Sequence, residues 1–131
     1  MLTNPSMPAS TVIPVLPYPD VAAAVAWLTA TFGFTLRLRI GDHRAQLNVG
    51  DGAMVVVQGS GRGQVMVRVE DVDRHHDHAS KQGARVLQAP TDQPYGERQY
   101  SVEDLAGHAW TFSQSIAAVP PAQWGGTPGQ L

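Results

Sequence analysis

Residues that could carry chemistry are concentrated in two stretches of the second half of the chain. The first is the tract HHDH at 75–78, in which His75 and His78 are spaced to share one face of a helix. Such a pair can bind Zn²⁺ or Ni²⁺ weakly, but the pattern implies no further ligand, so we interpret it as a solvated helix face. The second is PYGERQYSVEDLAGHAWTFSQ at 94–114, where two alternating segments flank a turn at 104–107. This stretch predicts a β-hairpin that could form one wall of a binding site.

Composition limits the classes of function. The chain has 131 residues, of which 43% are hydrophobic and 15% charged, which is typical of one globular domain with a core. The net charge of −2 gives no basic surface for nucleic acid, and the absence of cysteine excludes disulfides, thiol nucleophiles and thiolate metal sites. No apolar run approaches the roughly 20 residues needed to span a bilayer, and the N-terminus lacks signal-peptide features. We therefore expect a cytoplasmic protein.

An internal repeat organises the chain. The first copy is IPVLPYPDVAAAVAWLTATFGF, from residue 13, and the second is QVMVRVEDVDRHHDHASKQGAR, from residue 64. In each copy a strand-like run precedes an Asp-Val pair and a helical stretch. Asp20 and Asp71 suit helix N-caps because a carboxylate accepts bonds from the free amides of the first turn. Gly33 and Gly83 suit the residue past each helix, where positive φ is favoured.

Three strands are predicted after each helix from the alternation of polar and apolar residues. They cover residues 35–40, 44–49 and 53–58 in the first copy, and 84–90, 97–102 and 108–114 in the second. The sequence therefore predicts an α+β protein made of two βαβββ modules, with helices on one face of mainly antiparallel sheets.

Domain boundaries follow from the same pattern. Module one covers residues 11–58, a Gly-rich linker (GSGRG) covers 59–63, and module two covers 64–115. Residues 1–10 and 116–131 are rich in Pro, Gly and polar residues. We interpret both as tails that are ordered only where something holds them.

The repeat and the late hairpin resemble the vicinal oxygen chelate superfamily, which includes glyoxalases, extradiol dioxygenases, and bleomycin- and fosfomycin-resistance proteins. The resemblance covers residues 11–115. Leu105 stands where the family usually has proline, a departure that affects the turn. The family's late signature, Gly-x-Arg-x-x-x-x-x-Asp-Pro-x-Gly-x-x-x-x-Phe, is otherwise matched by Gly96, Arg98, Asp104, Gly107 and Phe112.

The resemblance implies two modules whose sheets curl into a cup, with the site inside it. It also implies a homodimer, in which a second subunit completes the cup through exchange of modules. The Gly-rich linker at 59–63 would permit this exchange. Arg98 is expected to anchor the late hairpin, against Asp104 or Glu103.

Metal-dependent members of the superfamily take ligands, usually His, Glu or Gln, from four strand positions. Carried onto this sequence, these positions are Ile13, one residue of 55–57, Gln64 and Thr111. Ile and Val cannot bind a metal and Thr is a poor ligand, so Gln64 is left as a single neutral donor. We therefore predict that the chain holds no metal and no other cofactor.

Strand alternation predicts which side chains line the cup. If Gln64 faces inward, so do Met66, Arg68 and Thr111, while Trp110 packs under the helices. The polar faces of the second and third strands could turn into the cup or toward solvent, and the pattern leaves both open. The aromatic side chains expected at the rim are those of Tyr95, Tyr100 and Trp124. The candidate ligand-binding residues are Arg37, Arg39, Gln46, Asn48, Gln64, Met66, Arg68, Tyr100 and Thr111.

Two functions remain compatible with the sequence. The first is a metal-free protein that sequesters a polar or anionic small molecule, a resistance-type role that the resemblance implies. The second is a metal-dependent lyase, isomerase or dioxygenase of the same superfamily. We favour the first, because the carboxylates lie mostly at turns or caps, where structural roles suffice.

Overall fold

Two copies of one strand–helix–three-strand unit follow each other along the chain, as the sequence predicts. The computed structural model describes residues 2–131. Its elements are β1 Val15–Tyr18, α1 Val21–Phe32, β2 Thr35–Ile40, β3 Arg44–Val49, β4 Gly52–Gln58, β5 Gln64–Arg68, α2 Val72–Lys81, β6 Arg85–Asp92, β7 Glu97–Glu103, β8 Ala109–Ser115, and a 3₁₀ turn at Pro121–Trp124. Neither helix in this part of the chain is long and apolar enough to cross a membrane.

Each module forms its own four-stranded sheet. The strand order is β1-β4-β3-β2 in module one and β5-β8-β7-β6 in module two. The first strand of each module runs parallel to the last, and the other neighbours are antiparallel, so both sheets are mixed. Because β1 and β5 have a neighbour on one side only within these sheets, each module presents an edge strand.

The helix caps are those the repeat predicts. The carboxylate of Asp20 accepts a hydrogen bond from the amide of Ala23 at 3.0 Å, and that of Asp71 accepts one from Arg74 at 3.0 Å. Gly33 ends α1 with φ of 79°, a left-handed conformation that costs glycine little.

A single hydrophobic core joins the modules. Both sheets turn one face toward it and both helices contribute to it, so the opposite faces of the sheets point away from it. Phe32 at the end of α1 packs edge-on against Phe112 of module two, with ring centroids 4.9 Å apart. The larger core side chains are Leu16, Tyr18, Leu28, Phe32, Phe34, Leu47, Met54, Tyr100, Trp110 and Phe112.

Asp104 connects the modules at the base of the late hairpin. Its Oδ2 accepts a hydrogen bond from the Tyr18 hydroxyl of module one at 2.6 Å and from Trp110 Nε1 at 3.0 Å. Its Oδ1 accepts from the amides of Ala106 and His108, which closes the turn. Burial, followed by the bond to this carboxylate, raises the pKa of Tyr18 far above its usual range. The turn predicted from the sequence is thus also the contact between the modules.

The Gly-rich linker is held at its end by the neighbouring hairpin. The amide of Gly63 donates to His108 Nδ1 at 2.8 Å, and His108 Nε2 donates to the carbonyl of Pro17 at 2.7 Å. His108 is fully buried, and these bonds use both of its ring nitrogens.

Arg98 has different partners from those expected. It binds Asp73 at the start of α2 at 3.0 Å and Asp92 on β6 at 2.8 Å, rather than Asp104 or Glu103. Asp104 is unavailable because its oxygens are buried and occupied, and Glu103 lies near Arg85. The arginine therefore ties the hairpin to α2 and β6.

We predict that Asp104→Ala lowers the free energy of unfolding by about 3 kcal/mol, because it leaves the buried Tyr18 hydroxyl and Trp110 N–H without their acceptor. Chemical denaturation followed by fluorescence measures the change. The exposed Asp51→Ala serves as the control and should stay within about 0.5 kcal/mol of the wild type. Equal stability of the two variants would contradict the role given to Asp104.

Candidate functional site

The outer face of each sheet, meaning the face turned away from the core, carries most of the residues predicted to bind a ligand. On module two, Gln64, Met66 and Arg68 show the predicted alternation with core-facing valines, and all three are exposed. Met66 is paired with Thr111 on β8, and the Thr111 hydroxyl lies 3.1 Å from that of Ser101. These side chains therefore form one surface, which we call the module-two face.

A carboxylate organises the polar end of the module-two face. Glu97 accepts hydrogen bonds from the hydroxyls of Ser113 at 2.7 Å and Ser115 at 2.5 Å, and from Arg68 at 3.1 Å. The bond from Ser115, with smaller contributions from Ser113 and Arg68, lowers the pKa of Glu97, so the group stays ionised near neutral pH. Arg68 is 67% exposed at its side chain, so it is oriented by Glu97 while most of it faces solvent.

The C-terminal residues contribute an aromatic contact at the edge of this face. Trp124 packs against Tyr95 with ring centroids 5.2 Å apart, and the Tyr95 hydroxyl donates to Gln99 at 2.8 Å. Gln99 in turn donates to Ser113, which connects the aromatic pair to the Glu97 cluster. Trp124 remains 46% exposed, so the tail is held here and still presents an apolar surface.

On module one, the N-terminal segment (residues 4–8) covers the polar outer face that the sequence predicts for a ligand. Gln46 is only 3% exposed although it lies on the outer face. Arg37 donates to its side-chain oxygen at 2.6 Å. Both side chains donate to backbone carbonyls of the N-terminal segment. Asn48 lies beside them and donates to Thr35 at 3.1 Å.

Arg39 does not share this face. The pairing of β2 with β3 shifts between Leu36 and Leu38, so Arg37 is an extra residue in the ladder. After this bulge Arg39 lies opposite Ala45, whose side chain is in the core, so it projects on the helix side. The prediction that Arg37 and Arg39 alternate onto one face was wrong because a bulge inverts the faces of all following residues.

Tyr100 is not a rim residue. It is fully buried, pairs with Phe112 on the core face of module two, and its hydroxyl lies 2.5 Å from His75 Nδ1. His75 Nε2 donates to the carbonyl of Phe32 at 3.1 Å, so Nδ1 is left to accept from Tyr100. Burial raises the pKa of Tyr100 above its usual range.

Two histidines of the tract bind the end of α1. His78 Nε2 donates to the carbonyl of Ala30 at 2.7 Å, next to the contact of His75 with Phe32. Both histidines thus satisfy carbonyls at the end of α1, which otherwise lack partners. Burial is the main cause that lowers the pKa of His75, and neighbouring His78 adds to it. The interpretation of this tract as a solvated face was wrong at His75, which is half-buried, whereas His78 is exposed.

The residues at the family's metal positions do not form a donor set. Val55 lies opposite Val15, and Thr111 is engaged with Ser101 on the module-two face. Ile13 has a hydrocarbon side chain. Of the four expected metal positions, Gln64 therefore offers the one suitable ligand atom. Within residues 2–131, no group of three or more His, Asp or Glu side chains is placed to hold a metal ion.

A cleft lies between the modules, and two residues predicted to bind a ligand, Met66 and Arg68, help to line it. It has a volume of about 580 Å³ and runs between the β3–β4 turn and strand β5. Met54, Val65 and Trp110 supply apolar walls, and Arg68 and Glu70 supply charge. Strand alternation placed Met66 and Arg68 at a binding surface but could not reveal the opposite wall, because the sides of the cleft come from different modules.

A sequence model of the Glyoxalase/Bleomycin resistance protein/Dioxygenase superfamily matches residues 11–112. The chain belongs to this superfamily. This match and the observed modules confirm the family and fold expected from the repeat and the late signature. None of the curated proteins matches the chain significantly.

Solved structures agree with this assignment. TioX from Micromonospora sp. ML1 is 37% identical, with a TM-score of 0.76, and the match covers 82% of this chain and 100% of TioX. A bleomycin resistance determinant encoded on transposon Tn5 is 17% identical, with a TM-score of 0.70, over 83% of this chain and 100% of that one. Lactoylglutathione lyase from Agrobacterium tumefaciens is 16% identical, with a TM-score of 0.70, over 82% and 94%. The last two share the fold, on which both a resistance determinant and an enzyme are found.

We predict that the folded protein loses stability as the pH falls from about 7 to 5, because the unfolded chain binds a proton at His75 more readily than the folded one. His75→Gln should reduce the dependence of the melting temperature on pH. The exposed His43→Gln is the control and should keep the wild-type slope. A slope unchanged in His75→Gln would contradict the assignment.

Proposed function

We propose that this protein binds a polar or anionic small molecule without a metal ion and sequesters it in a cup completed by a second copy of the chain. The observation that carries the proposal is the module-two face, where exposed Gln64, Met66 and Arg68 share one surface with Thr111. Amide, hydroxyl and guanidinium groups beside an apolar methionine suit a ligand with both polar and apolar parts.

Arg68 is the principal recognition group in this proposal. Its bonds to Glu97 and Ser115 involve the same nitrogen, Nη1, and fix the direction of the side chain. The other guanidinium nitrogen atoms are available for a carboxylate or another planar acceptor. Because the side chain is held before binding, less conformational entropy is lost when a ligand arrives.

Binding is favoured over catalysis by the chemistry at the inherited metal positions. An enzyme of the lyase, isomerase or dioxygenase kind in this superfamily would need a donor set, and Ile13, Val55 and Thr111 do not supply one. Glu97 is ionised and bound by two serines and Arg68, which suits it to orienting other groups rather than to abstracting protons.

A second copy is needed to enclose the ligand in this proposal. The module-two face is open to solvent within one chain, since Gln64, Met66 and Arg68 are exposed there, so a second copy would be needed to close a cup over it. The edge strands carry exposed apolar side chains on these faces, since Val15 on β1 is 51% exposed and Met66 on β5 is 64% exposed. Burial of such side chains would favour association of two copies.

Arg68→Ala should abolish the stabilisation that a ligand confers, or weaken binding by at least about tenfold, because it removes charge-assisted hydrogen bonds. A thermal-shift screen of antibiotics and anionic metabolites identifies the ligand, and titration of wild type and variant measures the affinity. Arg85→Ala is a matched control, because Arg85 is also exposed and paired with a glutamate on the same sheet, Glu103.

Two results would contradict the proposal. Equal affinity of Arg68→Ala and wild type would remove Arg68 from the site. Near-stoichiometric bound metal in protein purified without a His tag, measured by elemental analysis, would show that a donor set exists and would favour the enzyme.

We expect Met66→Glu to raise the dissociation constant of the dimer at least about tenfold, because a carboxylate would replace an apolar side chain in the interface. Light scattering after gel filtration over a concentration series measures the association. The control is Leu105→Glu, at an exposed position in the late turn. A wild-type protein that stays monomeric at high concentration would contradict the two-copy cup.

A further inference from the structure

The N-terminal segment, residues 4–8, is bound on the outer face of module one as a peptide would be. Arg37 Nη2 donates to the carbonyls of Pro5 at 2.9 Å and Met7 at 3.0 Å. Gln46 Nε2 donates to the carbonyl between them, that of Ser6, at 3.0 Å. Three successive backbone carbonyls are therefore bound by two side chains of the sheet.

The two side chains that bind the segment also orient each other. Arg37 Nη1 donates to Gln46 Oε1 at 2.6 Å, which fixes which end of the amide faces the segment. Gln46 lies under the segment and is almost completely buried. Burying a side-chain amide without hydrogen-bond partners costs free energy. The segment supplies acceptors for Gln46 and Arg37 that the sheet alone does not supply.

Buried apolar residues are found both in the segment and on the outer face that it covers. Pro8 is buried, and so are Ala53 and Val55, which lie on the outer face next to Asn48 and Gln46. Ala53 and Val55 are not in the hydrophobic core of residues 2–131, so their burial comes from the outer face and not from the helices. The face therefore combines an apolar floor with two polar side chains.

Apart from an approach of 3.9 Å between Gln46 Nε2 and the Met7 sulfur, the contacts made by Arg37 and Gln46 do not depend on the side chains of the residues bound. They reach main-chain oxygens, as in sites that recognise peptides by their backbone. Pro5 and Pro8 restrict φ and lower the entropy lost on binding. An Asn4 turn shapes the segment, since its side chain accepts from the amide of Ser6 at 3.0 Å.

We propose that Arg37 and Gln46 form a receptor for a peptide backbone, occupied in the free protein by residues 4–8 of the same chain. A peptide of the same sequence supplied in trans occupies the receptor when the chain's own segment is released. This inference goes beyond the proposed function, since it concerns module one and requires no small-molecule ligand. It also means that anything else binding at Arg37 and Gln46 must first displace the segment.

The test uses the full-length chain with Pro8→Asp, which places a charge at a buried position and releases the segment while leaving Arg37 and Gln46 intact. The probe is a fluorescent, C-terminally amidated peptide with the sequence of residues 2–10, LTNPSMPAS, followed by fluorescence anisotropy. We expect Pro8→Asp to bind it at least about tenfold more tightly than wild type, in which the chain's own segment competes.

A second substitution locates the binding. Arg37→Ala added to Pro8→Asp should weaken peptide binding at least about tenfold. Arg39→Ala added to Pro8→Asp is the matched control and should bind as Pro8→Asp does, because Arg39 projects from the opposite face. Equal binding by the Arg37→Ala and Arg39→Ala variants, or absence of binding to Pro8→Asp, would overturn the proposal.

Hydrogen exchange gives a readout that does not depend on Pro8→Asp. The amides of Ser6 and Met7 are bonded to Asn4 and should exchange at least about tenfold faster in Arg37→Ala than in wild type or Arg39→Ala. Exchange rates unaffected by Arg37→Ala would overturn the proposal. Both experiments use no small molecule, so their failure leaves the cup on module two untouched and is distinguishable from failure of the proposed function.

Discussion

A buried carboxylate needs hydrogen-bond donors for both of its oxygens, and the donors to Asp104 come from both modules. Two backbone amides close its own turn, Trp110 approaches along β8, and Tyr18 comes from the far end of β1. Because the interaction is strong only when all of these groups are in place, it fixes the position of one module relative to the other. His108 extends this contact to the linker and to Pro17.

The position of the modules decides which surfaces are available for binding. The inner faces of both sheets are buried in the core that the modules share. A ligand can therefore bind only at the outer faces or in the cleft between the modules. The outer faces differ in chemistry although the modules repeat. Module two carries an ionised carboxylate with serines and Arg68, whereas module one carries Arg37 and Gln46 under a segment of the chain itself.

Much of the fold could be predicted from local patterns. The Asp caps, the Gly residues after the helices and the alternation of the strands depend on neighbours a few residues away, and they appear where the sequence placed them. The exposure of Gln64, Met66 and Arg68 on one face of β5 followed from the period of two in a regular strand. The prediction failed at Arg39, because one extra residue in β2 inverts the faces and alternation does not reveal a bulge.

By itself the sequence determined the repeat, the superfamily and the alternation of strand β5. These depend on residue types and on spacings within one element. Tertiary structure decided that Tyr100 lies in the core with its hydroxyl beside His75, that the histidines bind the end of α1, and that residues 4–8 lie over Gln46. Each of these contacts joins residues at least 25 positions apart, as Tyr100 and His75 are. Their partners are chosen by how helices and sheets pack, which local periodicity does not encode.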